Sequence, residues 1–187
     1  MKSALRIVLV FLCLVSISFA REDYSSYLKD IKLPAVWMKP KAISVYIPQE
    51  EGKKYLFERG FKAWDDALGS NLNFKYTNKI EDADISISFI EKASGSAIGQ
   101  TYPRYMKIQG RVYLGKARIV ISRRLPSNAI MSDSELYRTI LHEIGHAIGI
   151  LGHSENIYDI MYYSTAGLKN SSLSSRDIDT VKKMYGF

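Results

Sequence analysis

The 187-residue sequence has three histidines in all, and they fall within twelve positions: His142-Glu143-Ile144-Gly145-His146-Ala147-Ile148-Gly149-Ile150-Leu151-Gly152-His153. On a helix, residues four apart are separated by one turn plus about 40°, so His142 and His146 project from one side, roughly 6 Å apart along the axis. Two ring nitrogens so placed can share one Zn2+ at about 2.0–2.1 Å. Gly149 is placed to end the helix and let the chain turn back, which brings His153 to the same ion. Three neutral nitrogen donors leave a fourth position open to water, the mark of a catalytic zinc site as opposed to a closed structural one. Glu143 borders the same face and can reach a water there without being a ligand. A histidine pair four apart is commonly an incidental surface feature, and a bare H-E-x-x-H also arises by chance. The helix-ending glycine, the third histidine and the lack of any other histidine decide for zinc. The expected site is one zinc ion on His142, His146 and His153, with Glu143 as general base.

Several elements must hold these residues. Ser132 and Glu135 form a capping-box pattern that opens a helix over about Asp133–Gly149, with an apolar face through Leu136, Ile140, Ile144 and Ala147. Phe57, Phe61, Trp64 and Leu68 step by four, three and four, which predicts an amphipathic helix over about Gln49–Leu68, closed by Gly69. Strands are expected at Ala42–Ile47, Asn73–Tyr76, Asp84–Ile90, Ala97–Tyr102 and Lys116–Ser122. A last helix, about Ser175–Met184, begins at a Ser174 N-cap. At this length one domain is expected. Its class is α+β, with α/β-type character: a small twisted mixed sheet, the site helix and a C-terminal helix.

His142–His153 followed by Asp159-Ile160-Met161-Tyr162 resembles the metzincin clan of zinc endopeptidases, whose pattern is H-E-x-x-H-x-x-G-x-x-H with a methionine turn. Within the clan the chain is most similar to the matrixins. Asp82–Phe89 resembles that family's third strand, and Leu173–Ile178 with Tyr185-Gly186 resembles its closing helix. The resemblance implies a zincin-like fold and peptide-bond hydrolysis. It also implies that Met161 forms an apolar floor beneath the zinc, and that Asp177 braces the methionine turn. In the related astacins a tyrosine two positions after the methionine approaches the metal; Tyr163 holds that position, with pocket-shaping or plain packing as the alternative for both Tyr162 and Tyr163. One departure stands out: three residues, Ile150-Leu151-Gly152, separate Gly149 from His153 where the pattern has two. Gly152 is suited to absorb the extra residue; should His153 fall short, Glu155 or Asp159 is the oxygen ligand. The loop between Ile90 and Ala97 is short for the family's calcium and second-zinc loop, so a single zinc and no calcium are expected. No cysteine-based latency is expected either.

Composition narrows the setting. Hydrophobic residues make up 47% and charged residues 24%, a globular balance. The lone cysteine, Cys13, lies in an N-terminal apolar run, so no disulfide framework is available. Residues 1–20 read as a signal peptide: Lys2 and Arg6, an apolar Ile7–Val15, then Ser18-Phe19-Ala20 before the cut. The run is short of the roughly 20 residues that span a bilayer, so stable membrane insertion is not expected. The 21–187 catalytic domain is then a secreted or periplasmic monomer acting on protein or peptide substrates. Lys92–Ser132 carries no acidic residue and eight basic ones: Lys92, Arg104, Lys107, Arg111, Lys116, Arg118, Arg123 and Arg124. That stretch is either a solvated surface or an element that steers acidic substrates or anionic cell-surface polymers. No nucleic-acid recognition motif accompanies it. Two rival readings share the pattern, a binding module stabilised by metal and a zinc amidase acting on non-protein amides.

Overall fold

The computed structural model of the chain describes residues 34–49, 52–164 and 170–187. The expected signal peptide and Cys13 lie outside them, as does Thr165. In chain order the elements are β1 (Ala35–Trp37), β2 (Ile43–Tyr46), α1 (Lys54–Ala67), β3 (Phe74–Thr77), β4 (Ile85–Ile90), β5 (Gly99–Ile108), β6 (Arg111–Ser122), α2 (Asp133–Ala147) and α3 (Ser175–Tyr185). Strands β3, β2, β4 and β6 lie side by side and parallel. β1 also runs parallel to β6, pairing Ala35–Trp37 with Val112–Leu114. β5 is antiparallel to β6 and, among the described residues, pairs with no other strand. The expected mixed sheet is therefore observed, with its one antiparallel strand at the edge.

Alternation decides which face is buried. Ile43 and Val45 of β2, Ile85 and Ile87 of β4, and Ala117, Ile119 and Ile121 of β6 point into one core. That core also takes Leu56, Phe57, Phe61 and Trp64 of α1 and Leu136, Ile140 and Ile144 of α2. The helices approach closely at Gly60, where a Cβ would lie 2.7 Å from Ile140 Cγ2. Two buried indoles then tie the site helix in place by hydrogen bonds. Trp64 Nε1 donates to Leu141 O at 3.0 Å, and Trp37 Nε1 donates to Ala147 O at 3.0 Å. The second of these satisfies a carbonyl that the end of α2 leaves without an intrahelical partner.

The structure corrects several expected boundaries. α1 begins at Lys54, not near Gln49, because its apolar periodicity starts only at Leu56 and no side chain caps it. It ends where Gly69 and Ser70 both take left-handed backbone, φ 60° and 58°. β1 is an additional strand; three residues are too few for alternation to register. The β5–β6 hairpin is far longer than the two segments expected. Pro103 suggests a strand end, yet an edge strand tolerates proline where no neighbour needs its N–H. Gln109 and Gly110, with φ 48° and 82°, close the hairpin with the turn geometry that suits twisted strands.

Candidate metal centre

The expected capping box on α2 is present: the Ser132 side chain accepts from Glu135 N, and the Glu135 carboxylate accepts from Ser132 N. The helix so started carries His142 and His146 on one side. His146 Nε2 lies 3.1 Å from His142 Nε2 and 3.2 Å from His153 Nε2. Three nitrogens around one tetrahedral ion, each about 2.05 Å from it, would be about 3.3 Å apart. The protonation pattern fits as well. His142 Nδ1 lies 2.8 Å from Ile160 O, and His146 Nδ1 lies 2.5 Å from Ile150 O. A carbonyl can only accept, so Nδ1 carries the hydrogen and Nε2 of each ring presents a lone pair to the shared point. Burial reinforces this. It pulls the pKa of His142 down to about 4, that of His146 well below its usual value and that of His153 down too, holding the rings neutral. Neutral imidazoles with converging lone pairs are the donor set of a zinc site with one open position.

The turn that returns His153 is built at Gly149, whose φ is 112°. A Cβ there would overlap the carbonyl oxygen of Ala35, so only glycine fits. Gly152, expected to absorb the extra residue, takes no left-handed backbone; it is buried. Ile150 N donates to Gly145 O at 3.0 Å, and beyond His153 the chain is fixed when Ser154 N donates to Met161 O at 2.7 Å. Among the described residues, the group of clustered ligand-type side chains is His142, His146 and His153, without Glu155 or Asp159. Asp159 is buried elsewhere, accepting from Ser154 Oγ at 2.5 Å with Arg176 Nε 3.3 Å away.

Met161 is fully buried beneath α2, so close to Gly145 that a Cβ at that glycine would overlap its sulfur. Asp177 holds this turn from α3: its carboxylate accepts from Ile160 N at 2.8 Å, Met161 N at 3.3 Å and Ser174 N at 2.8 Å. Ile160 is also the residue whose carbonyl fixes His142. A continuous chain of hydrogen bonds thus runs from α3 to the first imidazole.

Glu143 is 4% exposed. Its Oε2 accepts from Thr101 Oγ1 of β5 at 2.6 Å. Gly99, two residues earlier on that strand, leaves room for the side chain; a Cβ there would sit 2.6 Å from Thr139 Cγ2 and 2.7 Å from Glu143 Oε1. Burial raises the Glu143 carboxyl to about 7, against the opposing hydrogen bond from Thr101. An open cleft of about 850 Å³ runs past these residues, lined among others by Gly99, Thr101, Tyr105, Arg138 and the three histidines. Tyr163 stands at its wall, 64% exposed and with its ring 4.3 Å from that of Tyr162. Thr101 and Gly99 carry no signal of their own in the sequence. Only the fold brings residues some forty positions apart together.

The sequence model of the matrixin family matches residues 40–186. The chain belongs to the matrixin family. That family is one of zinc-dependent metalloendopeptidases, and the histidine cluster of this matrixin has the donor set for one zinc ion. Among curated relatives, it is 30% identical over 141 residues to metalloendoproteinase 1 of Glycine max, covering 71% of this chain and 45% of the relative. It is 29% identical over 148 residues to metalloendoproteinase 2-MMP of Arabidopsis thaliana, covering 74% and 38%. This matrixin therefore spans less than half the length of those relatives. The fold of myroilysin superposes with a TM-score of 0.52 at 16% identity, covering 82% of this chain and 96% of that one.

Proposed function

We propose that this matrixin is a secreted zinc-dependent endopeptidase whose His142, His146 and His153 hold the ion through Nε2 and whose Glu143 is the general base. The observation that carries the reading is the convergence of three ring nitrogens within 4.8 Å of one another, with His146 Nε2 3.1 Å and 3.2 Å from the Nε2 atoms of His142 and His153 and two of the rings oriented by backbone carbonyls. Bound there, zinc supplies a Lewis acid that polarises a peptide carbonyl and makes water more acidic. Glu143 takes the proton of the attacking water and delivers it to the leaving amine. Among the described residues, no strand lies beside the outer edge of β5. An extended substrate lies along it, its main chain completing the ladder, so recognition tolerates many sequences. Side chains of the Met161–Thr165 stretch set the preference, with Tyr163 and Ser164 lining the cleft, and secretion follows from the signal-peptide pattern of residues 1–20. Among the described residues no helix is long and apolar enough to cross a membrane.

The test is to incubate the 21–187 protein with a mixed peptide library. New peptide ends are expected without chelator, none with it, and recovery on adding back zinc. A zinc-replete protein that cleaves nothing would sink the reading, in favour of a metal-stabilised binding module or an amidase.

The basic stretch extends the reading to substrate charge. Arg104 and Lys107 lie on β5 and Arg111, Lys116 and Arg118 on β6, so the cations gather on the hairpin whose first strand borders the cleft. A like-signed field beside a cleft concentrates oppositely charged substrate and fades with salt. Of two matched peptides, an acidic one is expected to be cleaved faster than a basic one at low salt, with the gap closing at high salt. Equal rates at both salt concentrations would reject steering.

A further inference from the structure

The Glu143 carboxylate does not stand free in the cleft. Thr101 Oγ1 lies 2.6 Å from its Oε2 and 3.0 Å from the main-chain oxygen of the same residue. A hydroxyl has one hydrogen to give, and the shorter contact is to the carboxylate. The Nδ1 atoms of His142 and His146 face backbone carbonyls, and the Nε2 atoms of His142 and His153 lie against that of His146. The grip on the base therefore comes from the sheet and not from its own helix. Gly99 lies against the same side chain, so its rotamer is enclosed on the β5 side.

We propose that Thr101 is a positioning residue for the general base: its hydroxyl pins one oxygen of the Glu143 carboxylate and so fixes the direction in which the other is presented. The assignment rests on Glu143 being the base proposed above. Two consequences follow from the geometry. The clamp sits on β5, the strand along which substrate is proposed to lie, so the base and the substrate's main chain are registered by one rigid element. A base misaligned by a fraction of an ångström loses rate in the chemical step, while the binding edge, made of main chain, is unaffected.

The decisive variant is Thr101→Val, which keeps the branched shape and the strand preference of the residue and removes only the hydroxyl. The measurements are kcat and KM on a peptide cleaved by the wild type, zinc per protein, and the unfolding midpoint. One hydrogen bond to a carboxylate corresponds to a loss of about tenfold to a hundredfold in kcat. KM, zinc content and midpoint are expected to stay near wild type, and Thr101→Ser is expected to recover most of the rate. The proposal is overturned if kcat of Thr101→Val stays within about twofold of wild type, or if Thr101→Ser is as slow as Thr101→Val. A loss carried by KM, or accompanied by zinc loss or a lowered midpoint, also overturns it, because that marks a structural role. A Glu143→Ala control separates the two failures: if that variant stays active, the base assignment falls, whereas a dead control beside a fully active Thr101→Val removes Thr101 alone.

Discussion

Replacing Glu143 with alanine is expected to reduce peptide hydrolysis by about three orders of magnitude, the middle of the range for removal of a general base, while leaving the protein folded and charged with zinc. The separation of chemistry from structure follows from what holds each part. His142 and His146 are oriented by the carbonyls of Ile160 and Ile150, and no contact to Glu143 takes part. Losing the carboxylate orphans nothing, since the Thr101 hydroxyl retains the main-chain oxygen of residue 143, 3.0 Å away. Nor does removing a buried acid whose carboxyl is raised to about 7 by desolvation strip the fold of a favourable charge. Rates, zinc content by elemental analysis and far-UV circular dichroism are the measurements. Hydrolysis at the wild-type rate would remove Glu143 from the mechanism; inactivity with zinc also lost would place the defect in the metal site.

This contrast between ligands and supports also explains what the sequence makes legible. The histidine spacing shows itself because one helix encodes it: residues four apart share a face whatever surrounds them. The Ser132–Glu135 cap and the alternation of Ile85, Ile87 and Phe89 are local in the same sense. Thr101, by contrast, meets Glu143 across 42 positions, and Trp37 meets Ala147 across 110. Contacts of that range are set by sheet register and helix crossing, which no short pattern specifies. Gly145 is an intermediate case. A glycine inside a helix is unfavourable by about 1 kcal/mol relative to alanine, which is visible in the sequence. Its cause, the Met161 sulfur pressed against the helix, becomes visible only when the turn is in place. The long β5–β6 hairpin is obscured for a different reason. Tyr102, Tyr105, Met106 and Ile108 are all exposed, so beyond Thr101 the strand lacks the inward apolar alternation that marks a half-buried one.

The same reasoning locates the second large effect far from the metal, at Asp177. This side chain is fully buried, and its two oxygens accept from Ile160 N, Met161 N and Ser174 N. Asp177→Ala leaves those amides without their acceptor, removes half of the capping box that opens α3, and frees the peptide whose carbonyl orients His142. An unsatisfied buried donor costs about 1–3 kcal/mol, and burial already raises the Asp177 carboxyl, so part of that cost is offset by relief of its desolvation. The net expectation is a loss of about 3 kcal/mol, seen as a fall of about 10 °C in the thermal midpoint. Asp177→Asn, which keeps one acceptor oxygen, is expected to fall between the two. Because the strut ends on an imidazole, zinc affinity should weaken along with stability, and a competitive chelator titration reads that out separately. A variant with a wild-type midpoint and undiminished zinc affinity would show that the methionine turn stands without its brace, and that His142 owes its orientation to the helix alone.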